Sequence, residues 1–185
     1  MEDVSLEIFI PNDKQFYFTP NIVIISIFAI SLLVCSLSEK YLGANSILYN
    51  FFVIIGVFDL LVGIVFLFLS GFLHKHLNGE LDGEITFKKS GITIDDREFE
   101  LKAINDIEFN LSDYYGYRTT TRGNFSPTLS QGVDNYVKFT TGDGEPYGIY
   151  FQLQNKDHYK DLLPFINEAK SRGKMSDSQR GNFWS

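Results

Sequence analysis

The sequence predicts a membrane α-helical hairpin joined to an α+β domain, an antiparallel β-barrel or sandwich with a C-terminal helix. Three observations predict it. Two long apolar runs lie between residues 21 and 73, separated only by "SEKYLGAN". Beyond residue 77 the apolar residues alternate with polar ones, the period of strands with one buried face. The segment "DHYKDLLPFINEAKSRG" then spaces its apolar residues for one helix face.

The mean hydropathy of -0.03 hides how unevenly the 185 residues are distributed. From Ile22 to Leu37 there is no charged residue, and from Ile47 to Leu73 there is only Asp59. A helix needs about 20 mostly apolar residues to cross the hydrocarbon of a bilayer. The second run meets that length, and the first does so with Pro20, Asn21 and Ser38 at the interfaces. The helices are expected at about residues 20–38 and 47–73. Phe16, Tyr17 and Phe18 before the first helix, and Tyr41 and Tyr49 between the two, suit the aromatic belt of a membrane interface. A cleaved leader would want a basic start, whereas this chain opens "MEDVSLE". A buried core helix would carry a polar stripe, and residues 51–73 have almost none.

The short connection makes the two helices a hairpin with both ends on one side. Lys14, Lys75, Lys88 and Lys89 flank that side, against Lys40 alone in the turn. The positive-inside rule then places both termini and the domain in the cytoplasm, the hairpin being integral to the inner or plasma membrane. Cys35, the single cysteine, has no intrachain disulfide partner, which suits a reducing compartment. The expected organisation is an N-terminal cytoplasmic segment (1–19), the hairpin (20–73), the domain (77–172) and a mobile tail (173–185).

Within the domain, "GEITFKK" and "GITID" flank the turn "KKSG" and read as a hairpin. "EFELKAINDIEFNL" follows, and its change of spacing at Lys102–Ile104 predicts a bend or bulge. "NYVKFTT" and "YGIYFQLQ" flank "GDGEP", a second hairpin, so five or six antiparallel strands are expected. In the final helix Asp157 is placed to cap the start and Gly173 to close it, and Pro164 predicts a kink or a break.

Antiparallel strands closed by one amphipathic helix, and particularly "ITFKKSGITIDDREFELKAINDIEF", resemble the bacterial pleckstrin-homology-like (PH-like) domains. The resemblance covers about half of the chain. A membrane hairpin before such a domain is also similar to small bacterial membrane proteins. What the resemblance implies is binding or scaffolding with no chemistry, and it carries over no individual site residue. The sequence departs from the pattern in its long loop, "YYGYRTTTRGNFSPTLSQGVD", where such domains often have a short turn.

Net charge is -7, and from His74 onward 14 Lys and Arg stand against 17 Asp and Glu, so no basic face for nucleic acid is present. No phosphate loop, nucleophile elbow or metal-ligand spacing occurs, so neither an enzyme, a cofactor nor a metal is expected. The long loop is the expected protein-partner surface. Tyr114, Tyr115, Tyr117 and Phe125 offer apolar area, and Arg118 and Arg122 offer forked donors for a carboxylate or phosphate. The alternative is a flap whose aromatics cover an open end of the barrel. Lys88 and Lys89 are the candidates for a lipid phosphate, a small patch in an acidic domain. Asp59 shares a helix face with Gly56, Gly63 and Ser70, and the matching stripe on the first helix is Ser26, Ala29, Leu33 and Ser36. That arrangement predicts intramembrane packing, within the hairpin or between copies. The function expected is a cytoplasm-facing scaffold that recruits a protein partner. The alternatives are an anionic-lipid sensor and an accessory subunit of a transport or channel assembly.

Overall fold

The computed structural model describes residues 3–12, 18–119 and 125–175. The chain is α+β and divides into two compact units, a sheet unit (residues 3–12, 76–117 and 130–175) and a helical unit (18–75 and 118–129). Its elements in order are β1 (Val4–Pro11), α1 (Pro20–Leu42), α2 (Ile47–Leu69), β2 (Gly79–Lys88), β3 (Gly91–Ile94) and β4 (Arg97–Glu100). After a 3-10 turn (Leu101–Ala103) come β5 (Ile104–Asn110), β6 (Tyr115–Arg118), β7 (Leu129–Gln131), β8 (Asn135–Thr141), β9 (Pro146–Phe151) and α3 (His158–Ser171).

Seven strands form one antiparallel sheet in the order β4-β3-β2-β1-β9-β8-β5, and β6 pairs with β7 in a separate ribbon. The two hairpins expected from sequence are present: Lys88 pairs with Gly91 across Lys89 and Ser90, and Thr140 pairs with Pro146. The expected barrel is not: the sheet is open, with β4 and β5 as its edges. The bend foreseen at Lys102–Ile104 is the 3-10 turn, which drives fully buried Leu101 into the core and breaks the ladder. Beyond it β5 is irregular between Asn105 and Glu108, with Asp106 at φ 52, and the Ile107 N–H is donated to the Lys174 carbonyl.

β1 lies outside the domain bounds drawn from sequence, yet it occupies the middle of the sheet. It pairs with β2 from Val4–Phe87 to Pro11–Gly79, and Ile8 pairs with Phe151 of β9. The pairing runs on past the strands, since Asn12 donates to the Asn78 carbonyl at 2.9 Å. The two points at which the chain leaves and rejoins the sheet around the helices are therefore adjacent.

α3 lays Leu162, Phe165, Ile166 and Ala169 on the sheet. Phe165 meets Phe87 at 5.4 Å and Phe109 at 6.0 Å between ring centres, and Phe87 also meets Phe151 at 5.8 Å. Full burial of each such side chain contributes about 1.5–3 kcal/mol. α3 runs through Pro164 as one helix instead of breaking. Pro164 is on the exposed face, where water can solvate the Lys160 carbonyl that lost its donor. Met175 is buried in the same core, and Lys174 Nζ bonds the Lys102 carbonyl and Asn105 Oδ1, so residues expected in the tail finish the fold. The rest of that tail lies outside the described residues.

In the helical unit, Thr19 Oγ1 caps α1 by accepting from the Ile22 N–H, with Pro20 at the first helical position. Gly43, at φ 84, ends α1, and Ser46 Oγ caps α2 by accepting from the Tyr49 N–H. Each helix has 23 residues, about 34 Å at 1.5 Å per residue, and each is long and apolar enough to cross a membrane. Their burial is inverted relative to a helix pair in water. On α1 the buried residues are Ile24, Ser31 and Ser38, and on α2 they are Asp59 and Gly63. Ile25, Leu33, Phe58 and Phe68 point outward, each at least 60% exposed.

Candidate functional site

The helical unit buries Ser31 and Ser38 of α1 and Asp59 and Gly63 of α2 along the seam between the two helices. A Cβ on Gly56 would stand 3.6 Å from Ser31 Cβ, and one on Gly63 would stand 3.5 Å from Ile24 Cγ2. These glycines let the helices approach closely. The α2 side of the seam is the one read from sequence. The α1 side is corrected: Ser26, Ala29, Leu33 and Ser36 are exposed, and the seam uses Ile24, Ser31 and Ser38. The seven-residue spacing of 24, 31 and 38 was the available signal, because a repeat of seven returns to one face of paired helices.

Asp59 is the thirteenth of the 23 residues of α2, near its midpoint. It is only 5% exposed, and its Oδ2 has no hydrogen-bond partner; Ser31 Oγ, on a residue 3% exposed, has none either. An Asp at the centre of a membrane helix costs about 2.5–3.5 kcal/mol on the insertion scale, and a donor lowers that cost. Asp59 forms part of the wall of an apolar cavity of about 320 Å³, with Ile24 and Phe28 of α1, Gly63 and Leu67 of α2, and Phe125. A second cavity of about 280 Å³ adjoins it through Phe28 and Leu60 and reaches Ser31, Gly56 and Tyr49. The two lie one after the other along the hairpin.

Phe125 comes from the long loop, read from sequence as a partner surface with a flap over a barrel end as the alternative, and it lies against the helical unit. Residues 118–129 belong to the helical unit. The Phe125 N–H donates to Asn21 Oδ1 at 2.7 Å, and its ring lies 3.4 Å from where a Gly63 Cβ would be. Arg118 Nη2 donates to the Gly71 carbonyl at 3.0 Å. Thr128 gives both its N–H and its hydroxyl to the Ser70 carbonyl, Leu129 donates to the Leu73 carbonyl, and Lys75 donates back to the Leu129 carbonyl. The free carbonyls beyond the C-terminus of α2 thus find their donors in this loop. Arg122 lies outside the described residues.

The three tyrosines belong largely to the sheet unit. Tyr114 packs against its core and meets Tyr117 edge to face at 5.2 Å, while Tyr115 is 43% and Tyr117 37% exposed. The base beneath them is hydrogen-bonded through Asp113 Oδ2 and Asn135. Asp113 Oδ2 accepts from Ser130 Oγ and the Asp134 N–H. Asn135 Oδ1 accepts from the N–H groups of Ser112 and Asp113, and Asn135 Nδ2 donates to the Gly132 carbonyl. Gly132, at φ 75, is a position where a side chain would strike the Tyr115 N and the Leu153 carbonyl. Lys88 ends β2, and Lys89 Nζ stands 3.9 Å from Glu168 Oε2 on α3, so a carboxylate faces the patch proposed for phosphate. Among the described residues no three His, Cys, Asp or Glu are grouped to hold a metal ion.

The fold and site thus define an α+β protein with an open antiparallel sheet and a pair of membrane-length apolar helices. Comparison with known proteins finds no matching family model, no matching curated protein and no matching solved structure.

Proposed function

We propose that this chain is an integral-membrane binding module without catalytic activity. Its sheet unit is a PH-like domain held on the cytoplasmic side, and it recruits a protein partner. The observation that carries the reading is the pair of exposed tyrosines, Tyr115 and Tyr117, on a ribbon whose base is fixed by the Asp113–Ser130 and Asn135 hydrogen bonds. Aromatic side chains on a rigid base bury area in a partner at little entropic cost, the usual composition of a binding hot spot. The PH-like part of the reading is supported by strand order. Apart from the chain's excursions, the sheet is a meander from β1 to β4 and from β5 through β8 to β9, with α3 packed on it. Localisation is supported by the inverted burial of α1 and α2 and by the excess of lysine flanking the hairpin's open end. A lipid-phosphate role for Lys88 and Lys89 has less support, because Glu168 already faces Lys89.

The test is affinity capture of the full-length protein from native membranes after cross-linking, beside a Tyr115→Ala/Tyr117→Ala double variant, read by mass spectrometry. The double variant is expected to lose the principal partner while remaining in the membrane. Recovery of the same partners in the same amounts would overturn the reading.

A further inference from the structure

Two apolar cavities that share Phe28 and Leu60 form a groove between α1 and α2, and buried at them are Asp59 Oδ2 and Ser31 Oγ, which have no hydrogen-bond partner among the described residues. We propose that the groove seats one transmembrane helix of a different protein, and that this helix carries a lysine or arginine at mid-span to pair with Asp59. The inference rests on the reading that the hairpin spans a membrane.

Dimensions favour a helix over a small ligand. The lining runs on α2 from Tyr49 to Leu67, 19 residues spanning about 27 Å of helix, close to the roughly 30 Å of bilayer hydrocarbon. The two cavities are narrow, about 320 and 280 Å³, each near or below the smallest pockets that enclose drug-sized molecules. The rim has the spacing of a helix-packing surface. Leu60, Ile64 and Leu67 recur at four and three residues on α2, and Ile25 and Phe28 at three on α1, all of them exposed.

Chemistry selects the residue the helix must bring. Asp59 lines the groove, is 95% buried and has an oxygen without a donor, with the unpartnered Ser31 hydroxyl in the adjoining cavity. Acidic residues at this depth pair with basic ones on neighbouring helices, and such pairs choose partners because a mismatched helix leaves the acid unpaired. A second copy cannot supply the cation. Asp59 is the one charged residue between Ile22 and Leu37 or between Ile47 and Leu73. The occupant is therefore a foreign helix.

The full-length protein, donor-labelled and reconstituted in phosphatidylcholine vesicles, would be titrated with acceptor-labelled peptides of about 20 leucines, all-leucine or with one central lysine. The lysine peptide is expected to bind roughly tenfold more tightly than the all-leucine peptide. Asp59→Glu is expected to keep that preference, and Asp59→Asn to abolish it while all-leucine binding stays the same. Equal binding of the two peptides would overturn the inference, as would a preference that survives Asp59→Asn. Energy transfer between copies of the protein that disappears in Asp59→Asn would give the groove to a second copy instead. Alkaline carbonate extraction of the native membranes separates the two levels. A protein that washes off sinks the membrane reading itself, while one that stays in the pellet without lysine preference loses only the inference.

Discussion

Asp113 and Asp59 are both buried carboxylates, and their neighbours satisfy them to different degrees. Asp113 Oδ2 receives a hydroxyl and an N–H, so one of its two oxygens is compensated and it serves as a staple, while its Oδ1 has no partner among the described residues. Asp59 Oδ2 receives nothing, which is why it reads as a contact awaiting a donor. A third polar residue gives a direct pH test. The Tyr136 hydroxyl donates to Glu108 Oε1 at 2.9 Å, and that hydrogen bond, with partial burial and the charge of Glu108, holds the phenol above its ordinary value of 10.0. A raised folded-state value means that the stabilisation is fully present below about pH 10 and is lost as pH rises through the folded value. Glu108→Gln is expected to return Tyr136 to the ordinary tyrosine range, seen as phenolate absorbance appearing at lower pH, and to flatten the alkaline loss of stability. An unchanged titration would show that burial, and not Glu108, sets the value. Of these three residues only Asp59 stood out in the sequence, because a charge in an apolar run is visible without a fold. Asp113 and Tyr136 gain their roles from partners 17 and 28 residues away.

At the scale of elements, periodicity served best where a segment has one buried face. The β2–β3 and β8–β9 hairpins and α3 follow their alternation or helical spacing, with turn residues where the chain reverses. β1 carried the same signal, Leu6, Ile8 and Ile10 alternating with polar Glu7 before Phe9 interrupts. Its neighbour in sequence is a membrane-length helix, so its partners could not be inferred from proximity. The long loop was legible as unusual but not as to destination, since Phe125 meets Gly63 and Asn21 only through the fold. α3 offers the element's own test. Pro164 sits at its seventh position and withholds a donor from Lys160. Pro164→Ala is expected to stabilise the protein by about 1–2 kcal/mol, less than the full helix-interior penalty because proline also stiffens the unfolded chain. A lower denaturation midpoint for this variant would mean that the proline ring packs favourably against its surroundings.

At the scale of the molecule, the sheet unit is interrupted twice along the chain, by residues 16–75 and by residues 118–129. The strands on either side of the first interruption end and begin at adjacent backbone positions, so the helices can be excised on paper without moving a strand. A chain in which Asn-Gly replaces residues 12–78, a two-residue turn suited to an antiparallel pair, is expected to give a cooperatively unfolding sheet domain. Residues 77–175 alone, the domain as sequence bounds it, are expected to show no cooperative transition, because β2 and β9 lose the strand between them. Cooperative melting of the shorter chain by calorimetry would refute that dependence. The central strand also orders the birth of the protein. β1 leaves the ribosome before either helix, yet Leu6 must wait for Ile85, and Ile8 for Phe151. In a bilayer-spanning hairpin, a chain that inserted only one helix would strand β1 and β2 on opposite faces of the membrane, and the sheet could never zip. In such a protein, assembly of the sheet would proofread the hairpin, leaving chains with only one helix inserted unfolded and open to proteolysis.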